Sequence, residues 1–213
     1  LQEIKAPTGY LLPSPNPLYA SQITPTGSLG SVDTYNMPTT PEPVIRGGVA
    51  IDKRDIESML DTPLGSASLD GATFAITSQN DNTVRVDGAF YTKGEVVKYI
   101  QSSGGVATTQ ADTLPFGHYT LHETAVGAGY LLSGETRSFD IVEDGKIVHL
   151  RGAAGIANQV KRGDIEFIKT SEADMSRLAK VPFRLTSQTT GESHILVTDA
   201  NGYASTENSW NAH

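Results

Sequence analysis

The sequence contains no cysteine. Disulfides and thiolate metal sites are thereby excluded, and a form of this chain exposed outside a cell would need another cross-link to resist unfolding. Basic clusters are missing too: 16 Lys and Arg stand against 24 Asp and Glu, a formal net charge of −8. A surface that neutralises nucleic-acid phosphates is not expected. No stretch approaches the ~20 apolar residues a membrane-spanning helix needs, and the first residues lack the charged and apolar regions of a signal peptide. Charged residues are sparse at 19%, while apolar residues reach 38% of the 213, which suffices for packed cores. The 21 glycines and 11 prolines, with abundant Thr, Ser and Val, favour short strands joined by turns, hence an all-β fold.

Self-comparison reveals an internal repeat. LQEIKAPTGYLL (1–12) matches LHETAVGAGYLL (121–132) at Leu1/Leu121, Glu3/Glu123, Gly9/Gly129, Tyr10/Tyr130, Leu11/Leu131 and Leu12/Leu132. At a second offset, Arg46, Gly47 and Lys53 match Arg162, Gly163 and Lys169, and FAITSQ from Phe74 resembles FRLTSQ from Phe183. An Asn follows each Glu motif at similar distance, Asn36 after Glu3 and Asn158 after Glu123. The expected organisation is three modules: residues 1–45 as the end of a first module plus a stiff Pro-rich linker, 46–161 as one complete module, and 162–213 as the head of a third. Since the pattern is already under way at Leu1, the chain reads as an internal piece of a longer protein.

Within the middle module, alternation places Val49, Ile51 and Lys53 on one strand face, Tyr119, Leu121 and Glu123 on another, and Ile156, Asn158 and Val160 on a third. Turn dipeptides at Asp70-Gly71, Asp87-Gly88, Gly104-Gly105, Asp144-Gly145 and Asn201-Gly202 punctuate the strands, and the segment from Ser78 to Gly104 reads as a long loop. A two-sheet sandwich follows. Lys53, Glu123 and Asn158 are then polar residues on apolar faces, which is costly unless they meet. Either they form a buried hydrogen-bonded triad, or they react. For reaction, burial lowers the Lys53 pKa and frees its lone pair, while a neutral Glu123 carboxyl polarises the Asn158 amide and carries protons. The product is a Lys53–Asn158 amide, formed with loss of ammonia.

These residues resemble tandem B-type repeats of Gram-positive collagen adhesins and SpaA-type pilin-related proteins. The family pattern is a Lys shortly after the module start, a Gly-rich turn before a strand ending in Tyr-x-Leu-x-Glu, then Gly-Tyr, and an Asn on the last strand. Here these are Lys53, Gly117 to Glu123, Gly129-Tyr130 and Asn158. Ala-Val-Gly-Ala (125–128) departs from the usual charged stretch. The resemblance implies tandem Ig-like or prealbumin-like sandwiches, Glu123 as acid for an autocatalytic isopeptide bond between Lys53 and Asn158, and Glu3, Asn36 and Lys169 as corresponding groups of the two partial modules. It further implies a structural stalk of a cell-wall-anchored, extracellular adhesin or pilin-like protein, with neighbouring repeats as partners, no cofactor, and no enzymatic turnover beyond the single bond-forming event.

Two other functions compete. One is an adhesin module that recognises host matrix protein or glycan through the Asn80–Gly105 segment; the other is an accessory β-sandwich of a secreted polysaccharide enzyme. The accessory sandwich does not need a Lys, Glu and Asn set on core-facing positions. His118 and His122 fall on the face opposite Glu123 and read as solvated rather than as metal ligands. Asp199 to Gly202 reads as a turn rather than a calcium loop. Tyr91, Tyr99 and Trp210 read as core or edge packing.

Overall fold

A computed structural model describes residues 1–19, 40–188 and 191–207. Asn36, Trp210 and His213 lie outside the described residues.

The strand β1 (Arg46–Asp55) organises the molecule. After it come β2 (Thr73–Ser78), β3 (Val84–Val86), β4 (Ala89–Tyr91) and β5 (Val96–Gln101). Next are β6 (Val106–Thr108), β7 (Leu114–Pro115), β8 (Gly117–Ala125) and β9 (Thr136–Ile141). The set closes with β10 (Ile147–Leu150) and β11 (Ile156–Asn158). One sheet has the order β10-β1-β11, with β6 and β7 also paired to β1; the other has the order β5-β2-β8-β9. β1 runs parallel to β10 and β11, in a register that sets Ile51 opposite Leu150, Lys53 opposite Ile156 and Asp55 opposite Asn158. The second sheet is antiparallel throughout.

Period-2 alternation is clearest on β8, which buries one face of its pleat, whereas β1 is buried on both faces from Gly47 to Ile51. Val49 and Ile51 of β1, Phe74 and Ile76 of β2, and Tyr119 and Leu121 of β8 share one core and are almost wholly buried. Tyr119 stacks on Phe139 at 5.7 Å, and its hydroxyl donates to Pro115 O at 2.9 Å, so the ring's polar end is satisfied inside the core.

The segment from Ser78 to Gly104, expected as a loop, instead holds the β3–β4 hairpin and β5. The hairpin turns on Asp87 and Gly88, both at positive φ (48° and 85°), as a two-residue turn matched to strand twist requires. β5 escaped the alternation because a bulge interrupts its register: Ile76 faces Lys98 but Thr77 faces Val96, leaving Val97 as the extra residue. Its buried residues Val97 and Ile100 therefore stand three apart rather than two or four.

Beyond Arg162 the chain forms two further pairs: β12 (Glu166–Ile168) with β15 (Tyr203–Ser205), and β13 (Pro182–Thr186) with β14 (Ser193–Val197). Phe167 meets Phe183 edge to face at 4.6 Å between them. At Asn201-Gly202 the Asp199 carboxylate accepts from the backbone N–H of Asn201 (2.8 Å) and Tyr203 (2.9 Å), which closes a turn.

Candidate cross-link site

Lys53 continues the inward run of Val49 and Ile51 on β1, Glu123 ends the run on β8, and Asn158 closes β11. All three are at most 3% exposed. The sandwich brings them together. Lys53 Nζ lies 3.8 Å from Glu123 Oε1, and Asn158 Nδ2 donates to Glu123 Oε2 at 2.7 Å. One carboxyl group thus touches both other members. The Ser133 N–H also donates to Oε2, at 3.1 Å, while Lys53 Nζ donates to Ile156 O at 3.3 Å.

The bonding is incomplete at two atoms. Glu123 Oε1 and Asn158 Oδ1 are buried and accept no hydrogen bond. A buried carbonyl oxygen without a donor is uncommon and unfavourable. Lys53 is held below the ordinary lysine range, first by desolvation and against the opposing pull of Glu123 and Asp55.

Two residues that sequence reasoning passed over complete the surroundings. Asp55 follows Lys53 on the same face of β1 and is fully buried. Its Oδ1 accepts from the N–H of Glu57 (2.9 Å) and Ser58 (2.8 Å), and its Oδ2 accepts from the Tyr130 hydroxyl at 3.0 Å. Extending the alternation of Val49, Ile51 and Lys53 by one step would have found it. Tyr130, the Tyr of the Gly-Tyr pair, lays its ring 5.8 Å from Lys53 Nζ. A second bulge lies beside the acid, since Phe74 faces Glu123 but Thr73 faces Ala125, leaving Thr124 as the extra residue.

Residues 63–153 match the family model of the SpaA prealbumin-like fold domain. This stretch is a SpaA-type prealbumin-like domain. The SpaA-type match contains Glu123, whereas Lys53 and Asn158 flank it on β1 and β11. No curated protein matches the chain. Among solved structures, the chain is similar to the Bacillus anthracis TIE protein, at 23% identity and a TM-score of 0.62, over 96% of this chain and 32% of that one. The chain therefore spans about a third of that protein's length. Looser likenesses reach a streptococcal ancillary pilin (19% identity, TM-score 0.38, 78% of this chain and 54% of that one) and BcpA, the major pilin subunit of Bacillus cereus (22%, 0.38, 56% and 31%).

The remaining expected positions are less enclosed. Glu3 and Lys169 are half-buried, and Lys169 Nζ donates to Thr170 O at 3.3 Å, just as Lys53 Nζ reaches Arg54 O at 3.4 Å. Asn36, proposed from sequence as an acceptor, is among the residues outside the description. His118 is exposed and pairs with Asp140 at 2.5 Å; His122 is half-buried. Tyr91 packs against the core, whereas Tyr99 points outward at 61% exposure.

Proposed function

We propose that the chain is a load-bearing spacer of a Gram-positive surface protein, adhesin or pilin-like, whose SpaA-type sandwich is closed by an isopeptide bond between Lys53 and Asn158. The observation that carries this reading is the buried contact of Lys53 and Asn158 with the two oxygens of one carboxyl group. A buried ion pair gains little against its desolvation cost, so moving one proton from Nζ to Glu123 yields the neutral amine and the neutral acid together.

A half-turn of the Asn158 carboxamide exchanges Nδ2 for Oδ1 against Glu123. The protonated Glu123 then donates to Oδ1 and makes Cγ electrophilic. Nζ attacks Cγ, a proton passes from Nζ through the carboxyl group to Nδ2, and the Cγ–Nδ2 bond breaks. One amide forms and one ammonia leaves. Glu123 ends as it began. The chemistry occurs once per molecule and turns over no external substrate.

The bond would tie β1 to β11 and enclose β2 to β10 in a covalent loop. Force entering at Arg46 and leaving after Asn158 then bypasses the hydrophobic core. By analogy with a disulfide, closing a loop of about 100 residues is worth roughly 4–5 kcal/mol in the chain-entropy model. In a chain without cysteine, this supplies the missing cross-link.

The test is intact mass with tryptic mapping. Wild-type protein should be lighter than its sequence by one ammonia and yield a branched peptide joining Lys53 to Asn158, while Glu123→Ala should keep its full sequence mass. A wild type at full mass refutes the cross-link.

A further inference from the structure

Between β1 and β2 the chain runs from Ile56 to Ala72 as a strap without strand or helix, and part of it lies along the Gly127–Tyr130 turn. The Ser68 N–H donates to Ala128 O at 2.8 Å. A Cβ on Gly129 would stand 2.8 Å from that of Ala67, and one on Gly127 would collide with Ser68 O, so this close approach requires both glycines. Polar contacts tie the strap to the cross-link site. Its first residue, Ile56, donates its N–H to Asn158 O at 3.0 Å. Asp55 Oδ1 accepts from the N–H groups of Glu57 and Ser58, while Oδ2 accepts from the Tyr130 hydroxyl, which in turn accepts from the Leu64 N–H at 3.3 Å. Tyr130 thus sits beneath the strap and above the amine. It is almost wholly buried, whereas Ile56, Met59 and Leu60 on the strap are about half exposed.

The chain repeats the start of this strap after β12, and the repeat isolates what the Asp55 carboxylate does. Met175 N–H donates to Ser171 O at 3.0 Å as Met59 N–H donates to Asp55 O at 2.9 Å. The N–H groups of Ser171 and Asp55 donate to Ser176 O and Leu60 O, at 2.9 and 3.0 Å. Met175 and Met59 share a left-handed conformation, φ 60° and 57°. In the repeat, Ser171 Oγ accepts the N–H of Ala173 at 3.2 Å, so a single hydroxyl oxygen suffices to brace the turn. A fully buried carboxylate is a costly replacement for a hydroxyl unless its second oxygen is used. At Asp55 that second oxygen holds Tyr130.

We propose that Tyr130 is a positioning residue for the cross-link: latched to Asp55 and to the strap, its ring closes the site over Lys53 and keeps water from the amine until Asn158 has reacted. The proposal rests on the cross-link reading above and assigns its water exclusion to one side chain. Among the described residues, the charged groups that face Lys53 are Glu123 on β8, Asp55 on β1 and Glu135 ahead of β9, and all three favour the ammonium form. Asn158, from β11, is uncharged. Desolvation outweighs the three carboxylates and lowers the amine. A free lone pair on Nζ therefore depends on a dry site rather than on a favourable charge. The Tyr130 ring, 5.8 Å from Nζ, is the part of that enclosure which the strap holds in place.

The rate of bond formation tests this. Protein recovered unfolded in urea begins without the bond, dilution into buffers of chosen pH starts the reaction, and intact mass follows the loss of ammonia. Tyr130→Ala, checked for folding by near-ultraviolet circular dichroism, should react more slowly at neutral pH. The expected factor is about tenfold for each unit by which wetting returns the amine toward its ordinary value of about 10.4. For the same reason the alkaline limb of its rate profile should move to higher pH. Tyr130→Phe, which keeps the ring and cuts both latch bonds, should fall between wild type and Tyr130→Ala on both measures. A rate reduced by one common factor at every pH marks a structural defect alone and overturns the proposal, as do rates equal to wild type. Where Tyr130→Ala does not fold, Tyr130→Phe decides by the same two measures. A wild type that never loses ammonia overturns the cross-link reading itself, whereas a wild type that reacts beside equally fast variants overturns only the role of Tyr130.

Discussion

Lys53 Nζ and Glu123 Oε1 lie 3.8 Å apart with their side chains 1% and 0% exposed. A buried polar contact so placed is costly to break from one side. Lys53→Met should remove the cross-link and leave the Glu123 carboxyl buried with an unsatisfied oxygen, a further loss of about 1–3 kcal/mol. Lys53→Met combined with Glu123→Leu should recover most of that part, because the unsatisfied carboxyl group is then gone from the core. Urea unfolding of the single and double variants at neutral pH measures the difference. A double variant no more stable than Lys53→Met would contradict it.

In Asn158→Ala, Lys53 has no acceptor and remains a titratable amine. Its pKa in the folded state is lowered, chiefly by desolvation. Between that value and the ordinary lysine value of about 10.4, the unfolded chain binds a proton the folded chain has released. Stability in this variant should therefore rise with pH on the alkaline side of neutrality, up to about 10. Chemical denaturation across that range reads the slope, and a flat or falling curve would argue against a desolvated lysine.

Tyr119 has the opposite sign. Burial pushes its phenol up to about 12, so the folded state holds a proton the unfolded chain gives up from about 10. Its contribution is present below the unfolded value and lost as pH rises through the folded one. Wild-type melting temperature should fall over that interval, and Tyr119→Phe should fall less steeply there. At neutral pH the same substitution should cost about 1 kcal/mol for the lost bond to Pro115 O.

The Tyr130 hydroxyl donates to the fully buried Asp55 carboxylate. Tyr130→Phe preserves the ring beside Lys53 and removes only that donor, at an expected cost of about 1.5–3 kcal/mol in guanidinium unfolding. Tyr130→Ala should cost more, since the ring is itself buried. No loss in Tyr130→Phe would mean that the hydrogen bond contributes nothing.

Arg162 pairs with Glu57 across the exit from the sandwich, and this pair holds the Glu57 carboxyl below its usual range. Arg162 is 65% exposed on its side chain, so Arg162→Ala should change stability by less than about 1 kcal/mol. The Glu57 pKa, followed by NMR titration, should rise in that variant. An unchanged value would place its stabilisation elsewhere.

Much of this was legible in one dimension because strand burial follows a period of two. Lys53, Glu123 and Asn158 each interrupt an apolar alternation, and nothing but mutual contact relieves three such interruptions in one core. The all-β character and the Asp87-Gly88 turn were likewise written in residue types with local causes. The β5 strand was not legible, because its bulge at Val97 is created by pairing with β2 and breaks the period. The ordering of Lys53 and Asn158 around the two oxygens of Glu123 depends on two sheets meeting face to face, which no strand encodes alone.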